Sequence, residues 1–201
     1  MSYAIMPYAV RTEGIRSMVG SRDGRLLAYL KSRWAAELRA YDDLLDFADA
    51  DHLFPARVAL RQMVMGEEYD ERIGLVYAHC LEILVAAHEE TDRLPDNGWW
   101  ERGIEWFRIV GNELRRAGAD FDPAVLVLRG GPVPLPPLGD LGDPPNVGHL
   151  RHAEMPAVLA SFENLDTGRV TEPGALEAVR QIEEWLLTCV RTGRDLVCFH
   201  Y

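Results

Sequence analysis

The sequence predicts an α+β fold: a small mixed sheet built from N-terminal, central and C-terminal strands, packed with about six or seven helices. Three observations lead there. The two extremities, SYAIMPYA at 2–9 and DLVCFHY at 195–201, are short, apolar and β-prone. Between them, several stretches repeat apolar residues at helical spacing. A continuous apolar run, AVLVL at 124–128, has the length of a buried central strand.

The opening strand contains Pro7. Proline has no N–H for a ladder, so an edge position, a strand end or a bulge is expected there. Thr12 and Glu13, followed by Ile15, Met18 and Val19, read as a short helix stopped by Gly20. Ser21-Arg22-Asp23-Gly24 opens a second helix, with Leu26, Leu27, Leu30 and Trp34 on its apolar face. A helical piece over 42–50 carries Leu44, Leu45 and Phe47. Phe54-Pro55 restarts a helix with proline in the first turn, where the missing N–H does no harm. Its Val58, Leu60, Met63 and Val64 face inward, and Gly66 breaks it.

Residues 70–90, DERIGLVYAHCLEILVAAHEE, form the strongest helix, with Ile73, Val76, Tyr77, Cys80, Leu81, Leu84 and Val85 in a wide stripe. Leu94 to Gly98 is a turn cluster. A helix over 99–117 follows, with Trp100, Ile104, Phe107, Val110 and Leu114 on one side and Gly118 as its cap. After the apolar run, Val147 to Leu150 reads as a short extended segment, and 153–162 and 173–192 read as helices. Gly193 ends the last helix, and the closing strand follows.

Gly and Pro fill ten of the sixteen positions of GGPVPLPPLGDLGDPP, 130–145. A linker between two domains is one reading. The piece beyond it, 146–201, is too short to be stable alone without staples, and its lone terminal strand needs a partner. The expectation is therefore one α+β domain over 1–201, with 130–145 an ordered loop packed along its surface. No repeat is visible.

The chain has 201 residues with a formal net charge of −11, from 32 acidic and 21 basic side chains. Such a charge repels phosphates, so neither nucleic acid nor an anionic membrane is an expected partner. No apolar stretch approaches the ~20 residues of a membrane span. The N-terminus has no positive region before an apolar run, so no secretory signal is expected. Cys80, Cys189 and Cys198 are an odd set without CxxC spacing, which points to buried thiols in a reducing cytoplasm.

The opening MSYAIMPYAV, the helix segment YAHCLEIL, the GGPVPLP stretch leading to Gly148 and the ending GRDLVCFHY together resemble a bacterial family of uncharacterised small proteins, distantly similar to the YfbM-like proteins of unknown function. The resemblance spans nearly the whole chain. It implies a small sheet made from both chain ends with helices around it, and it implies no activity.

Motifs for chemistry are sparse. HExxH, GxSxG, the P-loop and GxGxxG are all missing from the sequence. His79 and His88 are nine residues apart, on opposite faces of one helix. His149 and His152, with Glu154 near, sit at a strand-to-helix junction and read as surface or capping residues, so no metal is expected. Asp46, Asp49 and Asp51 fail the calcium-loop pattern, because Leu53 and Phe54 occupy its fifth and sixth positions. His200 is expected at an edge or facing water. Glu82 and His79 are three residues apart on the strongest helix. Turned outward, they are an ordinary helix-surface pair, which is the expectation taken. Turned inward, they place a base beside a polar pocket.

Two functional readings follow. The first is a non-enzymatic cytoplasmic interaction protein, accessory or immunity-type, acting on a protein partner or as a homodimer and needing no cofactor. The missing catalytic motifs, the acidic charge, the stiff proline loop and the pair Trp99 and Trp100 carry this reading. Adjacent helical residues point about 100° apart, so one of the two indoles is expected to be exposed or at an interface. The alternative is a small-molecule-binding protein or hydrolase-like enzyme. Its pocket would lie between the Gly/Pro loop and the 70–90 helix, with Tyr77, His79, Glu82, Pro134, Pro136 and Gly148 around it.

Overall fold

A computed structural model describes residues 4–44, 55–99, 102–136 and 145–201. In chain order the elements are β1 (Ile5–Val10), α1 (Thr12–Met18), α2 (Gly24–Arg33), α3 (Ala35–Leu44), α4 (Pro55–Met65), α5 (Gly74–Ala87) and β2 (Thr91–Arg93). They continue with α6 (Ile104–Ala117), α7 (Val125–Leu128), β3 (Asn146–Leu150), α8 (Met155–Phe162), α9 (Ala175–Thr192) and β4 (Asp195–His200). Among the described residues that makes nine α-helices and four strands, an α+β fold.

The strands form one sheet in the order β2-β1-β4-β3. Every pairing is antiparallel, so the sheet is not mixed. The two chain extremities meet in it: Ile5 lies opposite His200, and Ala4 and Tyr201 exchange both backbone hydrogen bonds just beyond. Residues 146–201 are thereby tied to β1 through β4.

Both faces of the sheet are covered. Tyr8, Val10, Val147, Val197 and Phe199 pack with α1 to α5 in one core. Ile5, Ala9, Leu150, Leu196 and Cys198 pack with α6 to α9 in a second. Successive side chains along a strand point to opposite faces, so the even residues of β1 and the odd residues of β4 belong to the α5 face. Double coverage also explains why the end strands are nearly uniformly apolar rather than alternating.

Three expectations need correction. Pro7 is in an interior strand, between β2 and β4. Its carbonyl accepts from Leu94 N on the β2 side, and its missing N–H points to that same side, one position past the three-residue β2. Only the end of a ladder is affected. The AVLVL run is helical: Val125–Leu128 is α7. The Asp122 carboxylate accepts from Ala124 N and Pro123 starts the turn, which is helix-opening chemistry ahead of an apolar run. The central strand is instead β3, and α7 lies directly over it. A Cβ on Gly148 would meet Leu126 C at 2.3 Å, so only glycine permits that approach. Finally, His200 is 2% exposed, with Nε2 3.0 Å from Arg102 O and its ring edge-on to Phe107.

The described part of the Gly/Pro loop is pinned, not loose. Gly130 N donates to Val147 O, Arg16 Nε donates to Pro132 O, and Val133 is buried in the α5-side core. Residues 137–144, the helical piece beyond Leu44, and the Asp46/Asp49/Asp51 cluster lie outside the described residues, as does Trp100.

Candidate functional site

α5 is apolar almost all round, and its neighbours bury it on several sides. Its two strongly polar side chains, His79 and Glu82, are therefore only partly exposed. They fall on one stripe with Ile83 and Ala86, at spacings of three, four and seven, and all four line a cavity of about 520 Å³. Tyr8 of β1 and Thr91 and Arg93 of β2 form the opposite wall. Trp34, at the α2–α3 junction, and Glu37 of α3 complete it. The outward orientation expected for His79 and Glu82 is thus replaced by the inward one.

Glu82 is held from two strands. Tyr8 Oη donates to Oε1 at 2.8 Å, and Tyr201 Oη donates to Oε2. Both phenols reach it because Tyr8 and Tyr201 share the α5 face of the sheet. Burial pushes the Glu82 carboxyl up, while the Tyr201 and Tyr8 hydroxyls and the Arg93 charge pull it down. Burial likewise drives both phenols upward, and the Glu82 charge adds to it, so neither ionises in an ordinary pH range.

His79 Nδ1 is 3.2 Å from Tyr201 Oη. The single hydroxyl proton of Tyr201 is committed to Glu82, so the oxygen accepts and Nδ1 carries the hydrogen. That leaves Nε2 of the neutral ring as a bare acceptor. Burial lowers the His79 pKa to about 4, against a smaller opposing pull from the Glu37 carboxylate, so the ring is neutral near pH 7. Tyr41 of α3 fixes the ring plane by stacking on it at 3.9 Å, and its own hydroxyl donates to Leu75 O.

The cavity's defining feature is what it leaves unpaired. His79 Nε2, Trp34 Nε1 and Thr91 Oγ1 are all buried without a hydrogen-bond partner among the described residues. A buried polar group left unmade costs about 1–3 kcal/mol. Three in one cavity are a set of one acceptor, one donor and one hydroxyl that can act either way. These atoms are closed to water in this conformation, so a small polar molecule in the cavity meets them after a slight shift of the wall, and Nε2 can then take a proton from it.

The other site residues expected from sequence lie elsewhere. Tyr77 is on α5 but outside the cavity: its hydroxyl donates to Gln62 Oε1 at 2.6 Å and accepts from Asp70 N at 2.8 Å, tying α4 to α5. The Gly/Pro loop packs against Leu81, so the cavity is not between that loop and α5. Pro134 is exposed and Pro136 buried, within a separate shallow concavity lined by 129–136. Gly148 serves the α7 approach described above. Trp99 is 1% exposed, packed between Phe107 and Trp185 in the second core, and offers no surface for an interface. His149 and His152 contact Gly130 O and Val190 O, respectively, and do not converge. All three cysteines are free and buried, and burial raises each thiol, Cys189 to about 12.

One comparison with known proteins bears on this arrangement. A family model described as a domain of unknown function, DUF7691, matches residues 1–201. The chain belongs to the DUF7691 family. No curated protein and no solved structure gives a match. DUF7691 membership therefore supports the resemblance to an uncharacterised family and adds no activity. The chemistry of this DUF7691 chain must be argued from the cavity. Among the described residues, no helix is long and apolar enough to cross a membrane.

Sequence reasoning reached His79 and Glu82 but missed Tyr8, Tyr201, Trp34, Glu37, Thr91 and Arg93. A signal for the pair's orientation was present: polar residues inside a helix that is apolar on every side cannot all be solvated. The tyrosines come from strands whose register no local pattern reveals.

Proposed function

We propose that this protein binds a small polar molecule in the cavity between α5 and the β1–β2 side of the sheet, with His79 Nε2 as the acceptor that meets it. One observation carries this reading: three residues that line one cavity, His79, Trp34 and Thr91, each hold a buried polar atom (Nε2, Nε1 and Oγ1) without a partner among the described residues. Native proteins pair nearly all their buried polar groups. Asp42 Oδ2, Trp99 Nε1 and Trp106 Nε1 are further exceptions away from the cavity, and what sets His79, Trp34 and Thr91 apart is that they line one cavity together. Ile83 and Ala86 supply an apolar wall for the ligand's body. The test is a fragment screen by ligand-observed NMR against the wild type and Ala86→Phe, which fills the cavity from α5. Hits that lose their signal in the variant support the reading. Hits that bind both proteins equally contradict it.

A protein-interaction role, accessory or immunity-type, is the second proposal. The net charge of −11 supports it, as do Tyr29 and Leu187, large apolar side chains 56% and 51% exposed on α2 and α9. Trp99, being buried, no longer contributes. A strict monomer in size-exclusion chromatography that recovers no partner from native lysate would count against it. A bacterial cytoplasmic setting and distant kinship with the YfbM-like proteins belong to the same proposal. The three buried free thiols favour a reducing compartment.

A further inference from the structure

The cavity wall continues inward as a chain of hydrogen bonds, from His79 Nδ1 to Tyr201 Oη at 3.2 Å and from Tyr201 Oη to Glu82 Oε2. We propose that His79, Tyr201 and Glu82 form a proton relay, in which His79 Nε2 takes a proton from a weakly acidic O–H or N–H group of a bound ligand and Glu82 receives the equivalent. The proposal rests on the cavity being the ligand site.

The step balances without any further reactant. The ligand's X–H bond breaks and Nε2–H forms. The Nδ1–H proton passes to Tyr201 Oη, and the hydroxyl proton of Tyr201 passes to Glu82 Oε2. His79 ends neutral in its other tautomer and Tyr201 ends as a phenol. The negative charge leaves the carboxylate and appears on the ligand. No imidazolium forms, which matters because burial opposes a cation at His79 and opposes an anion at Glu82. Both penalties therefore favour the relayed state over an imidazolium–carboxylate pair.

The groups around the chain are placed to permit this. Glu37 and Tyr41 of α3 stand by His79, and the Glu37 charge acts on the ring. Arg93 of β2 acts on Glu82 and on Tyr8, with Asp96 3.4 Å from its guanidinium. Tyr8 holds the second oxygen of Glu82, so the carboxylate stays oriented when Oε2 gains a proton. His79 is the group that would touch the ligand. Tyr201, Glu82 and Tyr8 are positioning and proton-carrying residues behind it.

Two measurements test the relay. In the first, the ligand-free full chain, isotopically labelled, is titrated with acid and followed by NMR. The expected result is one event in which the Glu82 carboxyl carbon moves to its protonated position as His79 switches from Nδ1–H to Nε2–H. In Tyr201→Phe, which keeps the ring and loses the hydroxyl, the two changes separate. Formation of imidazolium with Glu82 unchanged, or unaltered coupling in Tyr201→Phe, overturns the relay. In the second, 4-nitrophenol is bound and its ionisation read from the visible absorbance of the anion. The bound phenol should be ionised at least tenfold more than free phenol at the same pH. That excess should vanish in Tyr201→Phe while affinity changes less than threefold. A phenol that binds but stays neutral overturns the relay and leaves the binding site standing. A phenol that does not bind, with the acid titration as expected, overturns the ligand class.

Discussion

The Tyr41 ring lies flat on the His79 imidazole, with 3.9 Å between centroids and 3° between planes. α3 thereby sets the plane of the α5 histidine that faces the cavity. Tyr41→Phe keeps the stack and loses only the hydrogen bond to Leu75 O, so it should cost about 1 kcal/mol. Tyr41→Ala removes a buried aromatic as well and should cost about 3–5 kcal/mol. Urea unfolding of the two variants separates the contributions, and equal losses would show that the stack adds nothing.

Glu82 satisfies two phenols from two strands. Glu82→Ala strands both hydroxyls in a buried site, so a loss of roughly 3 kcal/mol or more is expected. Restoring apolar consistency should recover part of it: in the Glu82→Ala background, Tyr8→Phe and Tyr201→Phe each remove an unpaired hydroxyl. The same two substitutions should be destabilising when Glu82 is present. A thermodynamic cycle over these variants reads the coupling directly, and strictly additive effects would contradict the bonding described.

The pH dependence of stability has opposed contributions. Burial lowers His79 to about 4 from 6.5, so the unfolded chain takes up this proton first, and stability is lost as pH falls from 6.5 toward 4. Glu82 is raised above 4.5, so its contribution is fully present below 4.5 and is lost as pH rises through the folded value. Between pH 7 and 5, the wild type should lose on the order of 1–2 kcal/mol more than His79→Asn. Parallel curves for the two proteins would mean that His79 titrates as freely in the fold as out of it.

Thr91 Oγ1 is buried and has no hydrogen-bond partner among the described residues. Thr91→Val keeps the shape and removes the hydroxyl, so it should stabilise the ligand-free protein by about 1 kcal/mol. It should also weaken fragment binding at the cavity. A gain in melting temperature with a loss of affinity is the signature of a residue kept for binding rather than folding. A loss of stability would show that the hydroxyl is satisfied in solution.

Much of the architecture was legible locally. The helices over 70–90 and 173–192 are announced by wide apolar stripes, and Gly118 and Gly193 stop helices through left-handed caps. The meeting of the chain ends follows from the inability of a lone terminal strand to satisfy its own backbone. AVLVL misled because a short apolar run fits a strand and a buried helical turn equally, and the deciding Asp122-Pro123 sits ahead of it. Pro7 misled because its tolerance depends on β2 being only three residues long, a fact of tertiary pairing. The site was half legible. His79 and Glu82 share a helix, but Tyr8 and Tyr201 join them only through the register of β1 against β4.

A crystal soaked with the fragments that distinguish the wild type from Ala86→Phe tests the central claim most directly. The account predicts a bound molecule in the α5 cavity, with polar atoms within hydrogen-bond distance of His79 Nε2 and at least one of Trp34 Nε1 and Thr91 Oγ1. Fragments found only at other surfaces, with the cavity holding nothing but water, would contradict it.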